Sequence, residues 1–299
     1  MDRFHLLKVY IAVAEEQGFS SAARRLAMSP PAVTRAVASL ENELGVKLLN
    51  RTTRYVRATD VGLRYLEDAR RILAELETAD EAAVGINAEP QGHLAVTAPA
   101  LFGRLFVTPG IVDYLERYPK MEVDAVFLDR VVNLLEEGLD VGVRIGELPD
   151  SSMRALRVGT VRLILCASPA YIAEHGVPKH PDELLEHTII ASKAGSGSID
   201  WRFPIANKNK LIAIKPRLTV TTNDAAIAAA VKGFGITRIL SYQVANELAS
   251  GDLKIIMENF EPAPKPVHIV HREGRNEAVK VRAFVDLLAG KLRGDKALN

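Results

Sequence analysis

Between Phe19 and Asp60 the chain reads FSSAARRLAMSPPAVTRAVASLENELGVKLLNRTTRYVRATD. Pro31, Ala32, Thr34, Arg35, Ala38 and Ser39 fall on one face of a helical period, Ser29 and Pro30 stand at the start of that helix, and no carboxylate interrupts them before Glu41. Ser29, Pro30, Pro31, Thr34, Arg35 and Ser39 are the candidate DNA contacts. Short hydroxyls and a guanidinium are groups that reach base edges at close range, and a face without acids suits approach to a polyanion. Arg51, Thr52 and Arg54 follow in a tip whose cations suit phosphate contacts or a narrow minor groove. Residues 20–57 carry seven basic side chains against two acidic ones, although the whole chain nets only +1. The positive charge is therefore a local patch, which is what DNA binding requires. The same pattern also describes a helix pair with a solvated charged face, the usual fate of surface arginine. The residues alone leave both readings open.

These side chains need two helices and a hairpin to position them. Ser20 or Ser21 is an expected cap of the first helix and Ser29 of the second, with Pro30 at the first helical position. Gly45 closes the second helix in a left-handed conformation. Val33, Ala36, Val37, Leu40 and Leu44 recur at helical spacing and form its core stripe. A preceding helix over residues 3–15 turns Phe4, Leu7, Tyr10, Ile11 and Ala14 inward. After the hairpin, Thr59 caps a long helix reaching about Asn87. There Tyr65, Ala69, Ile72, Leu76, Ala79, Ala83 and Ile86 alternate four and three residues apart, the spacing of a seam buried against a partner helix.

At 299 residues the chain is long enough for about two domains. Its composition, 48% hydrophobic and 25% charged, is that of a soluble globular protein. A single cysteine excludes an intramolecular disulfide and suits a reducing cytoplasm. The N-terminus lacks the pattern of a signal peptide, and no apolar run is long enough to cross a bilayer, so no membrane partner is expected.

Glu89-Pro90-Gln91-Gly92 breaks the long helix, and beyond it the period changes. Short strands at His93–Ala98, Glu122–Phe127 and Asp140–Ile145 alternate with helices at Gly103–Tyr118 and Val131–Glu137. A second unit follows from Val161, with further strands and helices to Leu288. This alternation implies parallel α/β sheets with crossover helices. Ligands in such sheets bind outside the carboxyl ends of strands. That rule selects Pro99, Ala100, Leu101 and Phe102, then Leu128 and Asp129, then Arg144. Across a second sheet it selects Ser192, Lys193 and Thr222.

The stretch AARRLAMSPPAVTRAVASLENELGVKLLNRTTR resembles the N-terminal winged helix-turn-helix of LysR-type transcriptional regulators. GHLAVTAP, FGRLFVTP, DVGVRIG, ASPAYIAEHG and VRAFVDLL extend the resemblance over nearly all of residues 1–295. It implies a winged helix-turn-helix at 1–58, a linker and dimerisation helix at 59–88, and a periplasmic-binding-protein-like α/β effector domain at 89–299. Within the last, subdomain I is 92–163 with 268–299, and subdomain II is 164–267. It further implies a dyad-symmetric double-stranded DNA operator and a small-molecule effector in the inter-subdomain cleft. The expected assembly is a homodimer through the linker helix, extended to a homotetramer, acting with RNA polymerase. The sequence departs from the family at Pro31, at Tyr55–Ala58, and at Ala100 and Leu101, where relatives often place a hydroxyl. The last departure favours a more apolar effector, such as an aromatic or a carboxylate held partly by backbone amides.

Other chemistry finds no support. Cys166 lies in VRLILCAS, an apolar strand where a thiol is expected to be inert. His268 and His271 are three apart on a strand, hence on opposite faces and unsuited to one metal. His175, His180 and His187 lack ligand spacing, and Gly233-Phe234-Gly235 lacks the third glycine of a dinucleotide fingerprint. No nucleophile elbow or phosphate loop occurs. No cofactor, metal or catalytic residue is expected. An enzyme on a binding-protein-like domain and a non-specific architectural DNA protein are the rival readings.

Overall fold

A computed structural model describes residues 2–51, 56–84, 89–148, 153–194, 201–205, 208–272 and 279–298. The chain divides into two units, one of Met1–Ala88, Asn133–Leu139 and Gly274–Val279, the other of Glu89–Val132, Asp140–Glu273 and Lys280–Asn299.

In the first unit, α1 (Arg3–Glu16) is capped by Asp2, whose carboxylate accepts from the Phe4 N–H. It buries Leu6, Leu7, Val9, Tyr10, Ala12 and Val13, while Phe4 is exposed. The buried surface is thus wider than the single expected stripe, because α2 (Phe19–Arg25), α3 (Pro30–Leu44) and α4 (Asp60–Val84) all pack on α1. Gly18, not Ser20 or Ser21, occupies the cap of α2, and Ser21 Oγ donates back to the Gly18 carbonyl at 3.0 Å. Ser29 holds the cap position of α3 with extended backbone, yet its hydroxyl makes no capping bond; Pro30 follows at the first helical position.

Val33, Ala36, Val37 and Leu40 are completely enclosed and fix the roll of α3. Each fully buried valine or leucine contributes roughly 1.5–3 kcal/mol. Gly45 ends the helix at φ +70°, and its N–H and that of Val46 close on the carbonyls of Asn42 and Glu41. The strands β1 (Leu49–Arg51) and β2 (Val56–Ala58) then pair antiparallel, Leu49 opposite Ala58 and Arg51 opposite Val56.

The face that α4 turns into this core is Leu66, Ala69 and Leu73, with Tyr65 half-buried. Tyr65 and Ala69 of the expected inter-chain seam are therefore spent within their own protomer, because the head needs a fourth helix to close it. Ile72 is exposed, as are Val61 and Leu63. Ala79, Ala83 and Ile86 lie outside the described side chains.

The second unit begins with β3 (Gly92–Ala98), followed by α5 (Ala100–Phe102), a π-turn (Gly103–Val107) and α6 (Thr108–Arg117). Then come β4 (Met121–Phe127), β5 (Val141–Ile145), β6 (Met153–Val161), β7 (Leu163–Ala167) and α7 (Pro169–His175). The strands β8 (Ile189–Ser192), β9 (Trp201–Ile205), β10 (Lys208–Ile212) and β11 (Leu218–Val220) precede α8 (Asn223–Val231) and β12 (Ile236–Leu240). The chain ends with α9 (Ala245–Ser250), β13 (Lys254–Ile256), β14 (Lys265–Arg272) and α10 (Val279–Gly294).

Two five-stranded sheets result, in the orders β4-β3-β5-β14-β6 and β11-β8-β12-β7-β13. The chain passes from the first to the second at Arg162 and returns between β13 and β14. Each sheet is mixed: β3 is parallel to β4 and β5, whereas β14 runs antiparallel to β5 and β6. One apolar core reaches both sheets, from Leu94, Val96 and Val143 to Ile164, Ile239 and Tyr242. The β9–β10 hairpin, which period reading missed, covers a separate cluster with Trp201 and Phe203.

Val131–Glu137 is not helical, contrary to expectation. The Asn133 side chain accepts from the Leu135 N–H, and Glu137 N–H bonds the Asn133 carbonyl, so one turn forms and stops. Asparagine commonly competes with helix propagation in this way.

Candidate functional site

Ser29, Pro30, Pro31 and Arg35 are exposed on α3, and Thr34 and Ser39 are half-buried beside them. Pro31, Thr34, Arg35 and Ser39 lie on the side away from the Val33–Leu40 stripe, and Ser29 and Pro30 form the N-terminal end of the helix. Thr34 Oγ1 donates to the Pro30 carbonyl at 3.0 Å, leaving its lone pairs to accept. No carboxylate partner is found for Arg35 or Arg24 among the described residues, whereas other cations nearby are neutralised. Arg25 Nη1 lies 2.7 Å from Glu15 Oε2, and Arg3 pairs with Glu43. The local charge excess is thus smaller than a count over residues 20–57 gives, because Glu15 and Glu16 fold back onto Arg25. Arg51 ends β1, and its side chain, with Thr52 and Arg54, lies outside the described residues.

The wing is held from two sides. Glu41 is enclosed near the end of α3, and its Oε1 accepts from the N–H groups of Leu48 and Leu49 at 3.0 and 3.1 Å. Lys47 Nζ donates to Oε2 at 2.9 Å. Burial alone would raise the carboxyl's pKa, but the Lys47 ammonium and the two N–H donors overcome it and hold the group below the usual range. From the other side, Thr59 Oγ1 donates to the Lys47 carbonyl at 2.9 Å, and Thr59 N–H to Leu48. Gly62 N–H donates to Thr59 Oγ1, and Tyr10 Oη donates to the Gly62 carbonyl at 2.7 Å.

In the second unit, the turns after β3 and β4 are tied together. Leu128 N–H bonds the Ala98 carbonyl, and Ala100 N–H donates to Asp129 Oδ1 at 3.0 Å. The Ala100 amide is therefore engaged by Asp129. Leu101 and Phe102 are buried. Phe102 packs on Tyr242 at 5.2 Å between centroids, and Phe106 completes the cluster at 5.8 Å from Tyr242. Tyr242 follows β12 of the second sheet, so the cluster bridges the two sheets. Gln243 Nε2 donates to Tyr242 Oη; burial, with Asp129 adding its negative charge, raises the phenol's pKa.

Arg144 Nη2 donates to the Val132 carbonyl at 2.9 Å. On the second sheet, Lys193 N–H bonds Val220, and Ser192 Oγ accepts from Ala194 N–H. Thr222 precedes α8 and donates to Asp224, whose carboxyl is held low by that bond, with Arg104 contributing. Arg104 and Asp224 follow strands of different sheets. Lys193, Thr222 and Arg104 are exposed. Cys166 is fully buried in β7, and burial pushes its pKa up to about 12. Among the described residues no cluster of His, Cys, Asp and Glu suits a metal ion, and no helix is long and apolar enough to span a membrane.

The pattern of the bacterial regulatory helix-turn-helix proteins of the lysR family matches residues 4–63, and that of the LysR substrate binding domain matches residues 87–293. The chain belongs to the LysR family of transcriptional regulators. This LysR-type regulator is similar to the HTH-type transcriptional regulator CrgA of Neisseria meningitidis serogroup B, 32% identical over 287 residues, covering 96% of each chain. It is also similar to the HTH-type transcriptional activator AaeR of Escherichia coli K12, 30% identical over 291 residues, or 96% of this chain and 93% of that one. The solved CrgA structure superposes with a TM-score of 0.62 over 97% of this chain and 99% of that one. The full-length AphB of Vibrio cholerae, at 23% identity, shares the fold with a TM-score of 0.64 over 97% and 99%.

A LysR-type regulator is a DNA-binding transcription factor with an effector-binding domain, and the family is not enzymatic. Arg104, Phe106 and Tyr242 are not among the residues that the strand-end rule selects. Tyr242 lies just past the carboxyl end of β12, so the same rule extended to that strand selects it. In the sequence Glu41 stands out only as the first acid after Ser29; nothing in its spacing shows that Leu48 and Leu49 return to it.

Proposed function

We propose that this regulator binds a dyad-symmetric operator as a homodimer joined through α4, assembling further into a tetramer of extended and compact protomers. The division into a head at 1–58, a linker at 59–88 and an effector domain at 89–299 is part of this reading. In each head, Ser29, Pro30, Pro31, Thr34, Arg35 and Ser39 address the major groove, while Arg51, Thr52 and Arg54 hold the backbone or the minor groove. The observation that carries the reading is the outward face of α3: short side chains, Arg35 without a carboxylate partner among the described residues, and no acid. The dimer is supported by apolar Val61, Leu63 and Ile72 left exposed along α4. The protein acts in the cytoplasm and communicates with RNA polymerase.

Electrophoretic or fluorescence titration of a duplex selected by the wild-type protein from a random pool tests this. Arg35→Ala and Arg51→Ala each weaken binding while the folded dimer persists. Affinity also falls steeply with salt, because neutralised phosphates release counterions. Unchanged affinity in both variants, or footprints without a preferred site, refutes the reading.

The effector in this reading is a small organic molecule with an aromatic or carboxylate group, held by Pro99–Phe102, Leu128, Asp129 and Arg144 of one sheet's turns and by Ser192, Lys193 and Thr222 of the other's. The Phe102–Phe106–Tyr242 cluster and exposed Arg104 support that chemistry. The molecule regulates only if it binds one assembly state more tightly than another. Thermal-shift screening of aromatic and aliphatic carboxylates checks this. Ligands that raise the midpoint yet leave DNA binding unaltered and are insensitive to Arg104→Ala speak against it.

A further inference from the structure

We propose that Glu41 is a positioning residue for DNA recognition: its enclosed carboxylate joins the recognition helix, the wing and the start of the linker helix into one register. The proposal rests on the DNA-facing assignment above, because it concerns how the two DNA-contacting surfaces are held relative to each other.

Among the described residues, the N–H groups of Leu48 and Leu49 and the Lys47 ammonium donate to this one side chain. A group that receives these donors on both of its oxygens is acceptor-only, which among side chains of this length means a glutamate. Glutamine reproduces the shape but turns an amide NH2 toward a donor. Aspartate keeps the charge but is one methylene too short to reach both backbone amides. Leu48 and Leu49 are themselves buried, so amides released from Glu41 find no water in exchange.

The segment Lys47–Leu49 is gripped on its opposite edge by the linker helix. Thr59 takes the carbonyls of Lys47 and Leu48, and Gly62 N–H bonds Thr59 Oγ1. The N–H groups of Leu48 and Leu49 thus belong to α3 and the carbonyls of Lys47 and Leu48 to the start of α4, while Leu49 opens the first wing strand. A displacement of α4 is transmitted to α3 and to the wing through the same few atoms. Glu41 is the side chain that completes the link on the α3 side.

Carrying a carboxylate on a helix that approaches phosphates is electrostatically adverse, and this gives the proposal a sign. Neutralising a charge near DNA tightens non-specific binding. Loss of position loosens binding to the preferred sequence. Glu41→Gln removes the charge and keeps the length; Glu41→Asp does the reverse. Both are measured in the full-length protein on two duplexes, one selected by the wild-type protein from a random pool and a scrambled version of it, with hydroxyl-radical footprints alongside.

Both variants are expected to lose about tenfold in affinity for the selected duplex, the scale of one weakened charge-assisted hydrogen bond. On the scrambled duplex Glu41→Asp is unchanged and Glu41→Gln is equal or tighter. The footprint loses the positions that Arg51→Ala also deprotects, while those that depend on Arg35 persist. Wild-type affinity in Glu41→Asp, with Glu41→Gln tighter on both duplexes, means that only charge matters and overturns the proposal. So does a loss that tracks the unfolded fraction alone, with the folded protein giving a wild-type footprint. If Arg35→Ala and Arg51→Ala leave the footprint intact as well, the DNA-facing assignment falls, and this proposal with it.

Discussion

Gly62→Ala is the substitution to which the head should be most sensitive relative to its size. A Cβ at this position would lie 2.1 Å from the Leu48 carbonyl oxygen, 3.0 Å from its carbon and 3.1 Å from Tyr10 Oη. Two of these atoms are backbone and cannot rotate away, so the first turn of α4 must move. That movement breaks the Tyr10–Gly62 bond at 2.7 Å and the Gly62–Thr59 bond at 2.9 Å. Two lost hydrogen bonds cost about 2 kcal/mol together. Overpacking adds roughly 1–3 kcal/mol. The sum, about 3–5 kcal/mol, is a large share of a domain's stability of roughly 5–15 kcal/mol. Gly45→Ala is the control: φ is +70° but nothing lies within 4 Å of its Cβ, so only the left-handed backbone penalty of about 1–2 kcal/mol applies.

The single tryptophan, Trp201, lies in the other unit and does not report on the head. Amide hydrogen exchange of peptides from α1 and α3 isolates the head's opening free energy. Gly62→Ala should lower it more than Gly45→Ala does, and adding Tyr10→Phe to Gly62→Ala should cost little more. Equal protection in the two glycine variants would refute the close approach of α4 to Leu48.

Thr97 and Thr237 are fully buried with hydroxyls that lack a partner among the described residues. Thr97→Val and Thr237→Val should each leave stability unchanged or raise it by about 1 kcal/mol, read by denaturant unfolding followed at Trp201. His187 is held below its ordinary pKa by burial and by His175, with Tyr171 Oη 3.1 Å from its Nδ1. The folded state resists a proton that the unfolded chain accepts below pH ~6.5, so stability should fall as pH drops through that value. His187→Gln should flatten this slope, and an identical slope would show that other groups set it. Cys166, with its thiol pKa pushed up to about 12, should react with a thiol reagent at neutral pH only as fast as the effector domain opens. Stoichiometric labelling of the native protein within the mixing time would contradict its burial.

How much was legible in the chain differs by scale. The α3 stripe, the Pro30 start and the Gly45 stop could be read directly, because helix period, proline's fixed φ and glycine's left-handed conformation are local properties. The alternation beyond Gly92 likewise announced α/β sheets. Val131–Glu137 misled because its apolar spacing is helical while Asn133 offers the backbone a competing bond. Ser20 and Ser21 misled because two adjacent hydroxyls look like caps whichever residue starts the helix.

What only the tertiary structure decided is which partners distant residues find. No spacing rule links Glu41 to Leu48 and Leu49, or shows that Ala69 belongs to its own head and not to a neighbour's seam. Phe102 and Tyr242 are 140 positions apart in the chain and 5.2 Å apart in space. The sequence alone set which surfaces are apolar and which turns are stiff. The pairing of those surfaces depends on chain closure over long separations, where many partners are chemically acceptable and only the packed whole selects one.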